Sequence, residues 1–189
     1  MIDPVTIYVG IDPGTTSSGI AVIKDTGASV PSIVAADLLP NGDVMLTLRK
    51  LLRACNVAAA STGIAIEEVR SYGMAVGQTT FDTCVWSGAL ASAIQIFINP
   101  MWVIWLGRKA DVCTTICQST RAKDANIRQA MVDYYGVPGT KKERGPTYGV
   151  TADMWSALAL ATTAYRYASD PKCCPESVKR GFLVVQGVD

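Results

Sequence analysis

A chain of 189 residues is long enough to bury one core and too short for two comfortable ones, so a single domain is expected. Its formal charge of only +1 excludes an overall basic balance as a reason to bind nucleic acid, and any such case must rest on local clusters. With no histidine at all, His-based triads, His-Glu-x-x-His zinc sites and HNH-type nucleases are excluded, which leaves carboxylates, thiols or lysines for any hydrolytic chemistry.

The first residues, MIDPVTIYVG, have neither a basic start nor a long apolar run, so no signal peptide is expected. Residues 5–11 and 19–23 are β-rich and apolar, and the turn formers DPGTTSS between them predict an antiparallel hairpin. Residues 32–39 give a third strand, ended by PNGD. Residues 44–59 have helical spacing, with Leu46, Leu48, Leu51 and Leu52 inward and Arg49, Lys50 and Arg53 outward. Residues 63–69, GIAIEEV, form a short buried strand that ends in charge. A long helix over 80–98 and a strand over 101–106 follow. The apolar window 88–107 approaches membrane-span length, but Gln95 interrupts it and Asn99-Pro100 breaks it, so no membrane span is expected. Residues 123–135 read as a helix closed by Gly136, then comes a basic Gly/Pro loop, GVPGTKKERGPTYG. A last helix covers 151–167 with Thr151 as N-cap, and the tail carries a short apolar run, FLVV. A three-stranded meander followed by alternating helices and strands describes an α/β sheet of mixed strand order. In such a sheet the first strand and the one ending at Glu67 can lie side by side.

The six cysteines, Cys55, Cys84, Cys113, Cys117, Cys173 and Cys174, lack the spacing of a zinc ribbon, and reduced thiols in a cytosol are the expectation. The acids are more informative. A carboxylate at the end of a buried strand is costly unless paired, hydrogen-bonded or bound to a cation. Asp12 ends the first strand, where it also suits a turn. Glu67 and Glu68 end the fourth, and alternation turns one of them toward solvent. Asp153 stands in the first turn of the last helix, where an acid also suits the helix dipole. Each has an ordinary structural explanation singly. Together they place three acids at the polar ends of strongly apolar elements, and oxygen-rich clusters of this kind suit Mg²⁺ or Mn²⁺.

These segments carry a family resemblance. IYVGIDPGTTSSGIAVI resembles the first hairpin of the RuvC-type Holliday junction resolvases, an apolar strand followed by Ile-Asp-Pro-Gly and a Gly-containing second strand. IAIEEV resembles their Ala-Ile-Glu-x-Val strand, DMWSALALA their last-helix segment, and STRAKDANIRQAMVDYYG their basic segment and following helix. The resemblance spans residues 7–167. It implies an RNase H-like fold, a mixed five-stranded sheet flanked by helices, with a nuclease domain over 1–168 and a tail over 169–189. It also implies a cytoplasmic homodimer without a membrane segment that nicks four-way DNA junctions in recombination or repair, using two Mg²⁺ ions per site, or Mn²⁺. On this mapping Asp12, Glu67 and Asp153 are the catalytic metal ligands.

Two departures stand out. The family carries a second acid three residues into the last-helix motif, where this chain has Ser156; Ser156 and Glu68 are then assigned supporting positions around the metal, with Glu68 or Asp82 as a substitute ligand. The family's cellular members have an aromatic shortly after the strand glutamate, where this chain has Arg70 and, two residues on, Tyr72. Both departures resemble a bacteriophage or mobile-element member, acting in the host cytoplasm. DNA contacts are assigned to Arg70, Tyr72, Arg108, Lys109, Arg121, Lys123, Lys141, Lys142 and Arg144, whereas Arg128 and the outer face of 44–59 are assigned to solvated surface. Three rivals remain at this stage: a sugar-kinase or actin-like ATPase, whose first phosphate loop GIDPGTTSSGIAVI also resembles; a catalytically dead binding module; and a less selective nuclease acting on flaps or forks.

Overall fold

The computed structural model describes residues 6–55, 61–71, 73, 75–170, 172, 174 and 175. Its centre is β1 (Ile7–Pro13), which is antiparallel to β2 (Ser17–Lys24) on one side and parallel to β4 (Thr62–Glu68) on the other. β3 (Ser32–Pro40) lies antiparallel outside β2, and β5 (Trp102–Gly107) parallel outside β4, giving the order β3-β2-β1-β4-β5. A strand covered on both faces has no side left for water, which is why β1 reads as the unbroken apolar run IYVGI. The mixed five-stranded sheet flanked by helices is the architecture expected.

Alternation along the strands sorts the two faces. Ile7, Val9, Ile11, Ile20, Val22, Ile64 and Ile66 form one core with Val44, Leu48 and Leu52 of α1 (Val44–Ala54) and Leu90 and Ile94 of α2 (Gln78–Phe97). Tyr8, Ala21, Ile23, Ala65, Ile104 and Leu106 form the other, under α4 (Asp124–Tyr135) and α5 (Met154–Ser169). α5 lies so close that a Cβ built on Gly10 would stand 2.0 Å from the Ala157 carbonyl oxygen and 2.5 Å from the Ala161 nitrogen. Only glycine permits that approach.

Several details differ from the sequence reading. The β1–β2 turn is shorter than DPGTTSS, because pairing continues to Pro13 opposite Ser18. α1 ends at Ala54, with 56–60 outside the described residues, and Leu46 is 55% exposed while Val44 takes the inward place. The last helix is capped at Asp153, not Thr151. After β5 the chain winds a π-helical turn over Arg108–Cys113 and a short α3 (Thr114–Cys117), where no element was anticipated. Cys173 and the FLVV run lie outside the described residues. No described helix is long and apolar enough to cross a membrane.

Candidate active site

Asp12 shares the face of Tyr8 and Gly10, and Glu67 that of Ala65, so both carboxylates point to the α5 side of the sheet. β1 and β4 pair in parallel as far as Ile11 opposite Ile66, and continuing that register sets Asp12 beside Glu67. The third acid arrives from above. Gly19, opposite Asp12 on β2, admits the start of α5, and a Cβ there would meet the Asp153 carbonyl oxygen at 2.5 Å. Asp153 makes no side-chain cap to its own helix and stays exposed. It follows Ala152, whose φ of 43° lies in the left-handed region that alanine rarely occupies, a local strain held by the hydrogen bond from the Trp155 N–H to the Ala152 carbonyl.

The loop after Asp12 is pinned from beneath. Asn41 donates to the carbonyls of Gly14 and Thr15, at 3.1 Å each, and accepts from the Ser18 hydroxyl at 2.8 Å. Trp86 of α2 donates to the same Ser18 oxygen at 3.0 Å, which ties the loop to the opposite layer.

Charge dominates the site. Burial, then the neighbouring Glu67 and Asp153 charges, push the Asp12 carboxyl up to about 7, while a hydrogen bond from Ser156 and the Arg108 guanidinium pull it back. Burial also raises Glu67, and Arg108 opposes that shift. Arg108 Nη1 donates to Ser156 Oγ at 3.1 Å and lies 3.8 Å from Glu67 Oε2; Nη2 is bonded to Asp124, the first residue of α4. Hence Ser156, Arg108 and Glu67 form one polar chain beside Asp12, with Asp124 holding the guanidinium from outside.

The donors present fit a hard divalent cation: oxygens of two half-buried carboxylates whose charge is incompletely offset, with a third carboxylate at the rim. Among the described residues no three acid or thiol side chains stand ready to hold an ion as they are. To hold an ion together with Asp12 and Glu67, Asp153 would have to turn inward from the rim.

The remaining assigned residues are distributed as follows. Glu68 points to the opposite face, accepts from Arg70 Nε at 2.6 Å, and lines with it a separate cavity of about 530 Å³ against α2; it does not belong to the acid cluster. Asp82 accepts from Gln78 within α2. Arg108 is drawn toward the acids and also lines the groove beside them. Lys109, Arg121, Lys123, Lys141, Lys142 and Arg144 are exposed, Arg144 with its guanidinium 4.9 Å from the Tyr148 ring centre. Tyr72 lies outside the described residues.

Arg128, assigned to solvated surface, is exposed, and it also stands over the Trp155 ring at 5.6 Å and lines a groove of about 770 Å³ with Arg108, Asp124, Asp153 and Ser156. Asp124 was not singled out by sequence reasoning. Their spacing of four along α4 was the available signal, since it puts both on one face.

The electrostatics carry a consequence for stability. Asp12 has an ordinary value of 3.8, so between there and about 7 the folded metal-free protein binds a proton that the unfolded chain has lost. Stability should fall as pH rises through that window. In the presence of a chelator the melting temperature is expected to drop by several degrees between about pH 5 and about pH 8, at about 2–4 °C per kcal/mol for a chain of this size. Millimolar Mg²⁺ should restore it at the higher pH, and Asp12→Asn should flatten the dependence. A wild-type melting temperature indifferent to both pH and Mg²⁺ would show that the acid cluster is already compensated.

No protein-family model matches the sequence, and no curated protein does. Solved structures do. Thermus thermophilus RuvC superimposes with a TM-score of 0.64 at 18% identity, covering 86% of this chain and 95% of that one. T. thermophilus RuvC in complex with its Holliday junction substrate gives 0.66 at 17% identity, over 86% of this chain and 94% of the other. The yeast mitochondrial Holliday junction resolvase gives 0.55 at 13% identity, over 98% and 87%. At such identities the likeness is one of fold: the chain has the RNase H-like architecture of the RuvC-type resolvases.

Proposed function

We propose that this protein is a divalent-cation-dependent endonuclease that nicks branched DNA, four-way junctions above all, as a RuvC-type resolvase does. The observation that carries the reading is the convergence of Asp12, Glu67 and the N-terminus of α5 on one face and one edge of a sheet whose fold neighbours include a resolvase solved on its junction substrate. A bound Mg²⁺ or Mn²⁺ would polarise the phosphodiester and lower the pKa of an attacking water. Asp12 and Glu67 would hold that ion from the sheet, and Asp153 would close on it from the helix. Ser156, which accepts from Arg108, would keep the guanidinium beside the two strand acids.

The groove beside the acids is lined by Arg108 and Arg128, and the exposed Lys123, Lys141, Lys142 and Arg144 lie on the segments that bound it or follow it in the chain. Local basic groups around an acidic centre suit phosphate contacts on a chain of nearly zero net charge. Neutralising Lys141, Lys142 and Arg144 together is expected to weaken junction binding and to flatten its log–log salt dependence by roughly one unit per lost phosphate contact. An unchanged slope would make that loop solvated surface.

A homodimer is part of the same proposal. α2 leaves Phe81 55%, Val85 74%, Ile96 72% and Phe97 63% exposed, an apolar face of the kind that marks an association surface. Sedimentation at the mass of a single 20.1 kDa chain would exclude it.

The deciding experiment compares Mg²⁺-dependent cleavage of four-way, three-way, flap and linear DNA. Paired nicks confined to the four-way junction are the expected result. Equal cutting of flaps and forks would favour the less selective nuclease, and ATP hydrolysis without DNA cleavage would overturn the reading altogether.

A further inference from the structure

We propose that Arg108 is a built-in cation of the acidic centre, taking over the charge of a second metal ion, so that each chain holds one divalent ion and not two; this rests on the nuclease reading above. Ser156 stands where the resemblance places a carboxylate, three residues after Asp153 and so on the same helix face. Its hydroxyl accepts from Arg108 Nη1 at 3.1 Å. A hydroxyl that holds a guanidinium is poorly placed to hold a cation as well, and it supplies no charge. The same guanidinium lies 3.8 Å from Glu67 Oε2 and is half-buried among the acids.

Its placement is built into the fold. Arg108 opens the π-helical turn directly after β5, at the edge where Asp12 and Glu67 end their strands, and Asp124 at the start of α4 orients its outer nitrogen. With Asp124 on the outer nitrogen 90% exposed and screened by solvent, one carboxylate fewer and one guanidinium more leave the inner cluster of Asp12, Glu67, Asp153 and Arg108 with two net negative charges. That is the charge of a single divalent ion. A second ion on the Ser156 side would face a fixed positive charge and meet a hydroxyl where the resemblance places a carboxylate.

The test counts Mn²⁺ bound to the full chain without DNA, by calorimetry and electron paramagnetic resonance. Wild type is expected to bind one Mn²⁺ per chain. Ser156→Asp alone should still bind one, because the new carboxylate pairs with Arg108, whereas Ser156→Asp with Arg108→Gln should bind two. Arg108→Gln alone should tighten the single site about tenfold, and Arg108→Lys should leave it near wild type. Two ions on wild type with similar affinity, or weaker binding in Arg108→Gln, would overturn the proposal. Junction cleavage is scored in parallel: cleavage with two ions sinks only the role of Arg108, and one ion without cleavage sinks only the nuclease reading.

Discussion

Asp12→Asn is expected to abolish nicking, by on the order of a thousandfold or more, while junction binding stays within about twofold. The substitution keeps the shape of the side chain but removes a carboxylate from beside Glu67 and Asp153. Phosphate contacts come from other residues, so affinity for DNA should survive. Glu67→Gln should behave alike, since Glu67 shares that face and its charge helps raise Asp12. Glu68→Gln should stay near wild type, because Glu68 faces the other way and is paired with Arg70. Gel-shift and cleavage assays on one labelled junction separate the two quantities. Wild-type turnover by Asp12→Asn would remove the metal assignment, and loss of binding together with cleavage would point to a structural role.

The largest effect on stability is expected at Gly10. Its added methyl group in Gly10→Ala would meet backbone atoms of Ala157 and Ala161 at 2.0 and 2.5 Å, and backbone within a helix cannot rotate aside. α5 would have to lift off the sheet along its length, giving up the packing of Ala157, Leu158 and Ala161, all fully buried. A cost above about 3 kcal/mol follows, which lowers the melting temperature by roughly 10 °C or leaves the chain insoluble. Gly19→Ala collides instead with the backbone of Asp153 at the tip of the helix. There only the first turn needs to move, so the loss of stability should be smaller and the loss of nicking, through a displaced Asp153, comparatively larger. A Gly10→Ala protein with a wild-type melting temperature would mean that α5 does not sit as close to β1 as described.

Arg128 and Arg108 show where reading the chain runs out, and the reason is the same for both. Arg128 was assigned to solvated surface, and is exposed, and Arg108 to DNA contacts; neither assignment named the side chains that surround it. What each one does depends on a residue far away in the chain: Trp155 lies under Arg128, and Glu67 and Ser156 lie beside Arg108. Periodicity reports which face of an element is apolar but not which other element that face meets. Leu46 illustrates the smaller version of this error, for helical spacing allowed it inward and the sheet chose Val44.

What the amino-acid sequence determined by itself was the α/β class, the hairpin, the strand ending in Glu67 and the placement of acids at the ends of apolar runs. These are local properties, written in alternation, in turn residues and in the cost of burying charge. Only the tertiary structure decided that Asp12 and Glu67 share a face beside Asp153, that Glu68 does not, and that Arg108 enters the cluster. Parallel pairing of β1 with β4 sets the first, strand alternation against α5 the second, and the π-helical turn after β5 the third. Each of these joins segments that are distant in the chain, and such contacts are chosen by packing across the sheet, which no window of neighbouring residues contains.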